Sequence, residues 1–589
     1  MAHDSPITWD ETGAPRSARH GDVYFSADGG LDESRAVFLA GCGLPEAWCG
    51  RRRFTVGEIG FGTGLNIAAL LDLWRGQGTP DAWLNIFSIE AAPLSRDEAR
   101  RALAHWPELS GVASLLVERW PGRARGLHRV DLPELRATLD LYVGEAAEAL
   151  REWTGRADAW FLDGFSPALN PDAWRDEVLG LVGERSAPGA RAATFTVAGA
   201  VRRGLEAAGF AVAKAPGFGR KRQRLEARMP GEAEDHPQPG RIAIIGAGIA
   251  GASLARAFES NSQNVTLIDA DGAGSGASGN PLALVNLRLD AGLGPPAALF
   301  ARGLARAGNL YEAAPGVVLG RGAHQLMSAE RDGRRFAAIA ASDLFEAGAV
   351  TLEDGALAIA EARTIAPASL LQAWAPRVQP GRVSHLERSE AAWRLIGGDG
   401  RLILEADTVI VAAAHGSAGL LPGISLQAVR GQVSWAKAEL ASFATGWGGY
   451  ALAARGLMVF GATFDPDDEA RDVRAEDHHR NLRSLAGALP SLAAGVDPAS
   501  LEGRASIRAA APDRLPIAGP APGMPGVYVL TGLGSRGFTL APLLGEHVAA
   551  LITGAPSPLA ASQAALVDPA RFAERAARRT RLASKPSSR

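Results

Sequence analysis

The sequence predicts two successive α/β units, and three observations carry that prediction. The string Glu58-Ile59-Gly60-Phe61-Gly62-Thr63-Gly64 follows an apolar run and opens an apolar helical pattern. Gly246-Ala247-Gly248-Ile249-Ala250-Gly251 does the same farther along, with a different glycine spacing. Each reads as a strand, a tight turn and a helix. Between them the polar, Pro- and Gly-rich stretch 229–240 lacks apolar periodicity and reads as a linker. The expected division is a first unit at 1–228, a second at 241–570 and a basic tail at 571–589. The tail alternates Ala, Arg and Ser and is expected to fray.

The totals agree with this division. A chain of 589 residues outgrows one ordinary core, and its length suggests roughly two to four domains. With 47% hydrophobic and 21% charged residues it reads as globular, neither disordered nor fibrous. Two cysteines, Cys42 and Cys49, argue against a disulfide scaffold or a cysteine-built metal site; no metal is expected. They also suit a reducing cytoplasm. The opening Met1-Ala2-His3-Asp4 lacks a signal-peptide pattern, and no apolar run reaches membrane-spanning length, so a cytoplasmic location without membrane contact is expected. Net charge is −3, so a polyanion has to be met by a local patch. No fixed-period repeat occurs, and nothing in the chain calls for a protein partner.

In the first unit, 54–59 reads as a buried strand and 65–74 as the helix after the turn. Further strands are expected at 83–89, 139–143 and 159–162. Acidic residues sit at the ends of these strands: Glu58, Glu90, Glu145 and Asp163. In an open α/β sheet the carboxyl ends of the strands form the ligand crevice, and an acid after the second strand can grip a ribose diol. One acid alone is commonly a helix cap; four at successive strand ends describe a crevice. Carboxylates there repel a pyrophosphate and favour a cationic sulfonium. The charge therefore favours S-adenosylmethionine over NAD, with Glu58, Gly60, Gly62, Gly64, Glu90 and Glu145 as its candidate contacts.

The string from Asp163 to Trp174, with Pro167 and Pro171 and aromatics near both ends, is a stiff loop beside that crevice. Asp163 can orient an amine and take its proton. An amine attacks a methyl group only when neutral, and a free alkylammonium has a pKa of about 10. Trp160, Phe165 and Trp174 are candidates for stacking on an unpaired base, although aromatics at strand ends are more often core. Basic clusters at 51–53, 119–129 and 219–224 offer local positive charge, with Arg220, Lys221 and Arg222 the candidate phosphate contacts.

In the second unit, strand 242–245 runs into Gly246, Gly248 and Gly251, and the next strand, 265–268, ends in Asp269. That acid falls near the interval of roughly 20 residues typical of a dinucleotide fingerprint, with the pyrophosphate on the helix N-terminus and the ribose on the acid. A small-residue loop at 274–281, with Ser278, Gly279 and Asn280, suits backbone packed against an extended flavin nucleotide. Near the C-terminus, 527–539 gives another strand, glycine turn and helix, with Gly534, Arg536 and Gly537. These features favour FAD over NAD. Strands are also expected at 402–404 and 408–411, and His415 can cap the latter.

Asp22-Val-Tyr24-Phe-Ser26, the stretch Gly30 to Leu39, the Glu58 loop, the Asp163–Trp174 loop and Gly217 to Arg222 together resemble the methyltransferase half of the bifunctional tRNA 5-methylaminomethyl-2-thiouridine biosynthesis (MnmC) family. The second unit resembles the glycine/D-amino-acid oxidase family of FAD enzymes and, with the first, the FAD half of the same bifunctional family. The implied architecture is a Rossmann-like class I methyltransferase domain followed by an oxidase-like FAD domain with a mixed α+β substrate subdomain. Two departures stand out. Leu169 replaces a usual lysine and removes a candidate contact to RNA phosphate, and Ala36 replaces a common aromatic.

The resemblance implies an order of chemistry. The FAD unit, an oxidoreductase acting on a CH–NH group, removes the carboxymethyl group from 5-carboxymethylaminomethyl-2-thiouridine at the tRNA wobble position. The first unit then methylates the freed amine with S-adenosylmethionine. In that setting Asp163 serves the amine, Phe165 and Asn170 meet the substrate, and Arg508 grips a carboxylate bidentately. Arg536 meets flavin or substrate. Two other readings stay open: an amino-acid oxidase fused to a small-molecule amine methyltransferase, and a tRNA-binding protein in which one unit has lost catalysis.

Overall fold

The computed structural model describes residues 5–11, 13–25, 29–79, 81–219, 221–232 and 238–583. The chain forms two compact units, 1–237 with 553–561, and 238–552 with 562–589. The division falls inside the expected linker, but 553–561, expected in the second unit, belongs to the first. Its carbonyl at Pro556 accepts from Arg129 at 2.9 Å, and Leu559 is fully buried. A non-periodic Ala-Pro-Ser-Pro segment carries no pattern that would have assigned it.

The first unit is built on β1 (Arg53–Ile59), α1 (Leu65–Gln77), β2 (Trp83–Glu90), β3 (Gly126–Leu132), β4 (Ala137–Val143), β5 (Ala157–Leu162), β6 (Ser186–Thr194), β7 (Ala211–Pro216) and β8 (Gln223–Arg228). Their order across the sheet is β3-β4-β2-β1-β5-β6-β8-β7. The central pairs are parallel; β3 and the β7–β8 hairpin run antiparallel at the edges. Strands β1, β2 and β4 are buried almost throughout because both faces are covered, as a parallel sheet requires. The order reverses between β1 and β5, and a crevice opens at such a switch point. Two side-chain clusters pack the faces, one around Val56, Leu70, Leu116 and Leu139, the other around Phe87, Trp153, Trp160 and Val178.

The second unit begins with β9 (Ile242–Ile245), α2 (Ile249–Glu259) and β10 (Val265–Asp269). Then come β11 (Gln379–Pro380), β12 (Thr408–Val411), β13 (Gln427–Lys437), β14 (Leu457–Gly461), α3 (Ala475–Ala488), β15 (Glu502–Ala510), β16 (Ile517–Pro520), β17 (Val527–Thr531) and α4 (Gly537–Thr553). The nucleotide sheet has the order β11-β10-β9-β12-β17-β16. As expected, the late strand β17 returns beside the first ones: it pairs parallel with β12, which pairs parallel with β9. A second sheet, of ten strands among the described residues, contains β13, β14 and β15, with β13 paired antiparallel to both of the others.

The expectation of a fraying tail from Arg571 is corrected. Residues Arg571–Ala583 form a helix, α5, and Arg571 is buried with its guanidinium on Asp513 at 3.0 and 3.1 Å. A buried, bidentate arginine anchors the first turn, which composition alone does not reveal. No helix among the described residues is long and apolar enough to cross a membrane.

Candidate active sites

In the first unit, the ends of β1, β2, β4 and β5 surround a cavity of about 820 Å³. It is lined by Gly60, Gly62, Glu90, Glu145, Asp163, Phe165, Asn170 and Lys221, among others. The ends of β1 and β5 meet because position 60 has no side chain: a Cβ there would stand 2.4 Å from the Asp163 carbonyl oxygen. Gly62, with φ +51°, turns its N–H toward Glu90, which accepts from it and from the Ala92 N–H at 2.9 Å each. Burial raises the Glu90 carboxyl above its ordinary range, opposed by these backbone donors. Gly64 is the left-handed residue before α1 and does not line the cavity. Glu145 lines it with a largely exposed side chain, near Arg19 at 4.0 Å.

Glu58 does not reach the cavity. Its side chain is fully buried beneath it and accepts from Ser88 Oγ at 2.6 Å. Burial pushes its carboxyl up to about 8, against the Ser88 hydrogen bond and with the charge of Asp163 adding to the shift. A side chain inside β1 faces the sheet interior, so its contribution to the crevice is indirect.

Asp163 follows β5 and borders the cavity. Asn66, from the first turn of α1, donates to its Oδ2 at 2.7 Å, and Ser34 Oγ donates to the Asn66 carbonyl at 2.7 Å. Burial pushes the Asp163 carboxyl up to about 7; the Asn66 bond lowers it, Glu33 raises it and Lys221 lowers it. A carboxylate that titrates near neutrality is suited to exchanging a proton with an amine. Beside it, the Phe165 ring packs against Tyr24 and His20, each with centroids 5.2 Å away, and Trp174 Nε1 donates to the Phe165 carbonyl at 2.8 Å. Asn170 closes the turn through its N–H to the Ser166 carbonyl at 2.9 Å.

Not every basic or aromatic candidate faces this site. Arg220 lies outside the described residues. Arg222 is exposed, and Lys221 pairs with Glu33 at 2.8 Å while lying over the Phe195 ring. Arg51, Arg119 and Arg129 are paired with Asp158, Glu134 and Asp140, and the half-buried Arg53 donates to Asn85 Oδ1 at 3.2 Å, so these arginines are committed within the unit. Trp160 is fully buried, and Trp174 buried, so of the three stacking candidates Phe165 alone lines the cavity. Asn66 and His20 carry no local signal, and Ser34 and Tyr24 stand in the sequence only as members of longer motifs; their partners lie far away along the chain.

In the second unit the glycine loop turns at Gly246, with φ +108°. A Cβ at Gly251 would stand 1.8 Å from the Gly246 carbonyl oxygen, so the helix packs on the turn only with glycine there. Asp269 accepts from the N–H groups of Ala247, Asp271 and Gly272 at 2.7 to 3.0 Å, which holds the turn after β10 against the loop. Ser278 Oγ accepts from the Ile249 N–H at 3.0 Å, at the N-terminus of α2 beside Gly248. Gly279 packs against Arg504, whose Nη1 is buried without a hydrogen-bond partner, and Asn280 is partly exposed next to it.

The C-terminal turn comes to the same region. The Gly534 N–H donates to the Ala509 carbonyl at 2.9 Å, and a Cβ at Gly537 would stand 3.1 Å from Ile249 at the start of α2. Burial lowers the Arg536 guanidinium to about 10, with Arg288 adding to the shift. Arg536 makes no ion pair among the described residues. The glycine cradle, the N-terminus of α2 and this unpaired cation fit a dinucleotide bearing a pyrophosphate. Arg508, on β15, is half-buried, with the Thr463 carbonyl at 3.5 Å from both Nη atoms; burial lowers its guanidinium, opposed by the charges of Tyr450 and Asp465. His415 sits in a short turn after β12, 4.0 Å from Glu469.

These two sites define a methyltransferase joined to a flavin-dependent oxidoreductase. Residues 107–230 match the family of S-adenosyl-L-methionine-dependent methyltransferases, and 241–551 match the FAD dependent oxidoreductases. The chain is 54% identical to the tRNA 5-methylaminomethyl-2-thiouridine biosynthesis bifunctional protein MnmC of Caulobacter sp. (strain K31), over 97% of this chain and 98% of that one. It is 57% identical to the protein of the same name from Caulobacter vibrioides, over 96% and 98%, and 44% identical to that of Maricaulis maris, over 97% of each. The chain belongs to the MnmC family of bifunctional enzymes, with S-adenosylmethionine and FAD as its cofactors.

Proposed function

We propose that the second unit removes the carboxymethyl group from 5-carboxymethylaminomethyl-2-thiouridine at the wobble position of tRNA, and that the first unit methylates the resulting amine to give 5-methylaminomethyl-2-thiouridine. A cytoplasmic location, where tRNA is found, accords with this reading. The carrying observation is Asp163, a cavity-lining carboxyl that titrates at about 7 with one oxygen held by Asn66. When bound, S-adenosylmethionine would supply an electrophilic methyl group and FAD would accept a hydride from the carboxymethyl carbon beside the nitrogen, after which water adding to the resulting C=N bond would release that group as glyoxylate and leave the amine.

The chain's own residues do the rest. Asp163 takes the proton of the substrate ammonium, leaving the nitrogen lone pair free, and holds the amine by its open Oδ1 while Phe165 and Asn170 seat the base. Glu90 and Glu145 flank the place of the nucleoside and sulfonium of the methyl donor, with Gly60 and Gly62 giving backbone access; Lys221 borders the same mouth, with the exposed Arg222 next along the chain. In the second unit Gly246, Gly248 and Gly251 cradle the pyrophosphate and Asp269 braces the turn beside it. Ser278, Gly279, Asn280, Gly534, Arg536 and Gly537 border the flavin. Arg508 grips the substrate carboxylate, which a planar guanidinium matches bidentately.

Mass spectrometry of nucleosides from hypomodified tRNA, incubated with the enzyme with and without S-adenosylmethionine, tests the reading. It expects aminomethyl-thiouridine without the methyl donor and the methylated product with it. Absence of both products, with turnover of free amino acids or amines instead, would favour a small-molecule enzyme pair.

A further inference from the structure

The second unit holds several arginines that make no ion pair among the described residues, Arg288, Arg508, Arg514 and Arg536 among them. In the same unit Arg430, Arg474, Arg480 and Arg571 are each paired with aspartates. The four unpaired groups are linked in space. The Thr463 carbonyl caps Arg508, and the next residue along the chain is Phe464, with 47% of its surface exposed. The Arg514 guanidinium lies 5.6 Å from the Phe464 ring centre, and Arg288 Nη1 donates to the Arg514 carbonyl at 3.1 Å. Arg288 in turn bears on the charge of Arg536.

One exposed phenylalanine is ordinary on a protein surface and decides nothing alone. Here it adjoins the carboxylate-gripping residue and stands under a cation that makes no ion pair among the described residues. The turn that presents that cation is also fixed. Arg514 has φ +58°, a conformation rare for a non-glycine residue, and its neighbour Asp513 is clamped by both Arg571 and Arg575. An aromatic face beside unpaired guanidinium groups is the chemistry that receives a splayed base and its flanking phosphates.

We propose that Phe464 is a stacking platform for an unpaired nucleobase at the mouth of the oxidoreductase site, with Arg514 and Arg288 meeting the phosphates beside it. The inference rests on the reading that the second unit acts on a tRNA nucleoside. The base stacks on Phe464, and the carboxylate borne by its substituent reaches inward to Arg508.

The test uses the full-length flavin-loaded enzyme and hypomodified tRNA, measuring carboxymethyl removal against tRNA and salt concentration. Phe464→Ala is expected to raise KM for tRNA roughly tenfold, the loss of one stacked base, with the effect in KM exceeding that in kcat. Phe464→Trp restores the wild-type KM, whereas Phe464→Leu, apolar without a π face, does not. Arg514→Ala is expected to reduce the slope of log KM against log salt by about one phosphate contact. The flavin absorbance of each variant reports that the unit is folded, and the salt slope gives a second reading should Phe464→Ala misfold. If wild type converts tRNA while Phe464→Ala and Arg514→Ala keep its KM and slope, the platform is overturned and the functional reading stands. A wild type inert on tRNA overturns both.

Discussion

The Asn66 side-chain amide donates to Asp163 Oδ2 at 2.7 Å while its carbonyl is held by Ser34 Oγ, also at 2.7 Å. Asn66 and Ser34 are both buried, so the relay is fixed by its surroundings and points one way. It occupies one oxygen of Asp163 and leaves the other toward the cavity. It also favours the ionised carboxylate against the burial that opposes it.

This arrangement gives methylation a pH dependence of known sign. Asp163 is protonated below about 7 and cannot then accept an amine proton. The methylation rate is therefore expected to rise with pH through that value. Asn66→Leu removes a bond to the charged form, so the inflection moves to higher pH. Single-turnover methylation of aminomethyl tRNA across neutral pH reads both curves, and an unmoved inflection counts against the relay.

Glu58 gives a stability prediction. Its folded-state pKa, about 8, lies above the ordinary 4.5. The folded chain thus holds a proton that the unfolded chain releases, and stability falls as pH rises from 4.5 through about 8. Glu58→Gln removes that decline. Its stability relative to wild type is expected to grow across the window by on the order of 2 kcal/mol or more. Denaturant melts at the two ends of the window measure it; a constant difference would sink the idea.

The two activities are expected to separate by mutation. Asp163→Ala should lower methylation by roughly 10²–10⁴-fold, the usual worth of a general base, and leave flavin oxidation intact. Gly248→Val should yield protein with little flavin that still methylates aminomethyl tRNA, because a Cβ at Gly248 already stands 3.2 Å from Ser278 Oγ. Parallel losses of both activities in either variant would contradict independent sites.

Arg508→Lys tests the carboxylate grip. Lysine keeps the charge and loses the planar fork, so kcat/KM for carboxymethyl removal is expected to fall on the order of 100-fold, mostly through KM. Methylation of a substrate that lacks the carboxylate should not change. Equal loss in both assays would assign Arg508 a structural role.

Much of this was legible in the sequence because strand–turn–helix units write themselves locally. The runs ending at Ile59, Ile89, Val143 and Leu162 are short, largely apolar and followed by glycine or acid, and the structure forms strands at each. Gly246, Gly251 and Asp269 meet in space because one turn brings them together within a short stretch. Glu58 misled because strand-end position does not tell which way a side chain points. Asn66 escaped notice because an asparagine on an apolar helix carries no signal until Asp163, from another strand, is set beside it. The arginines at 51–53 and 119–129 looked like a patch, yet Asp158, Glu134 and Asp140 consume three of them.

Residues 553–561 complete the first unit, although they follow nearly all of the second in the chain. During synthesis the methyltransferase sheet is finished early, but Pro556 reaches Arg129 only after the oxidoreductase has been translated. The earlier-made half thus waits on the later one for its last segment. A ribosome that stops at the linker releases a methyltransferase with a gap, and a gene split at that point would not encode two whole enzymes.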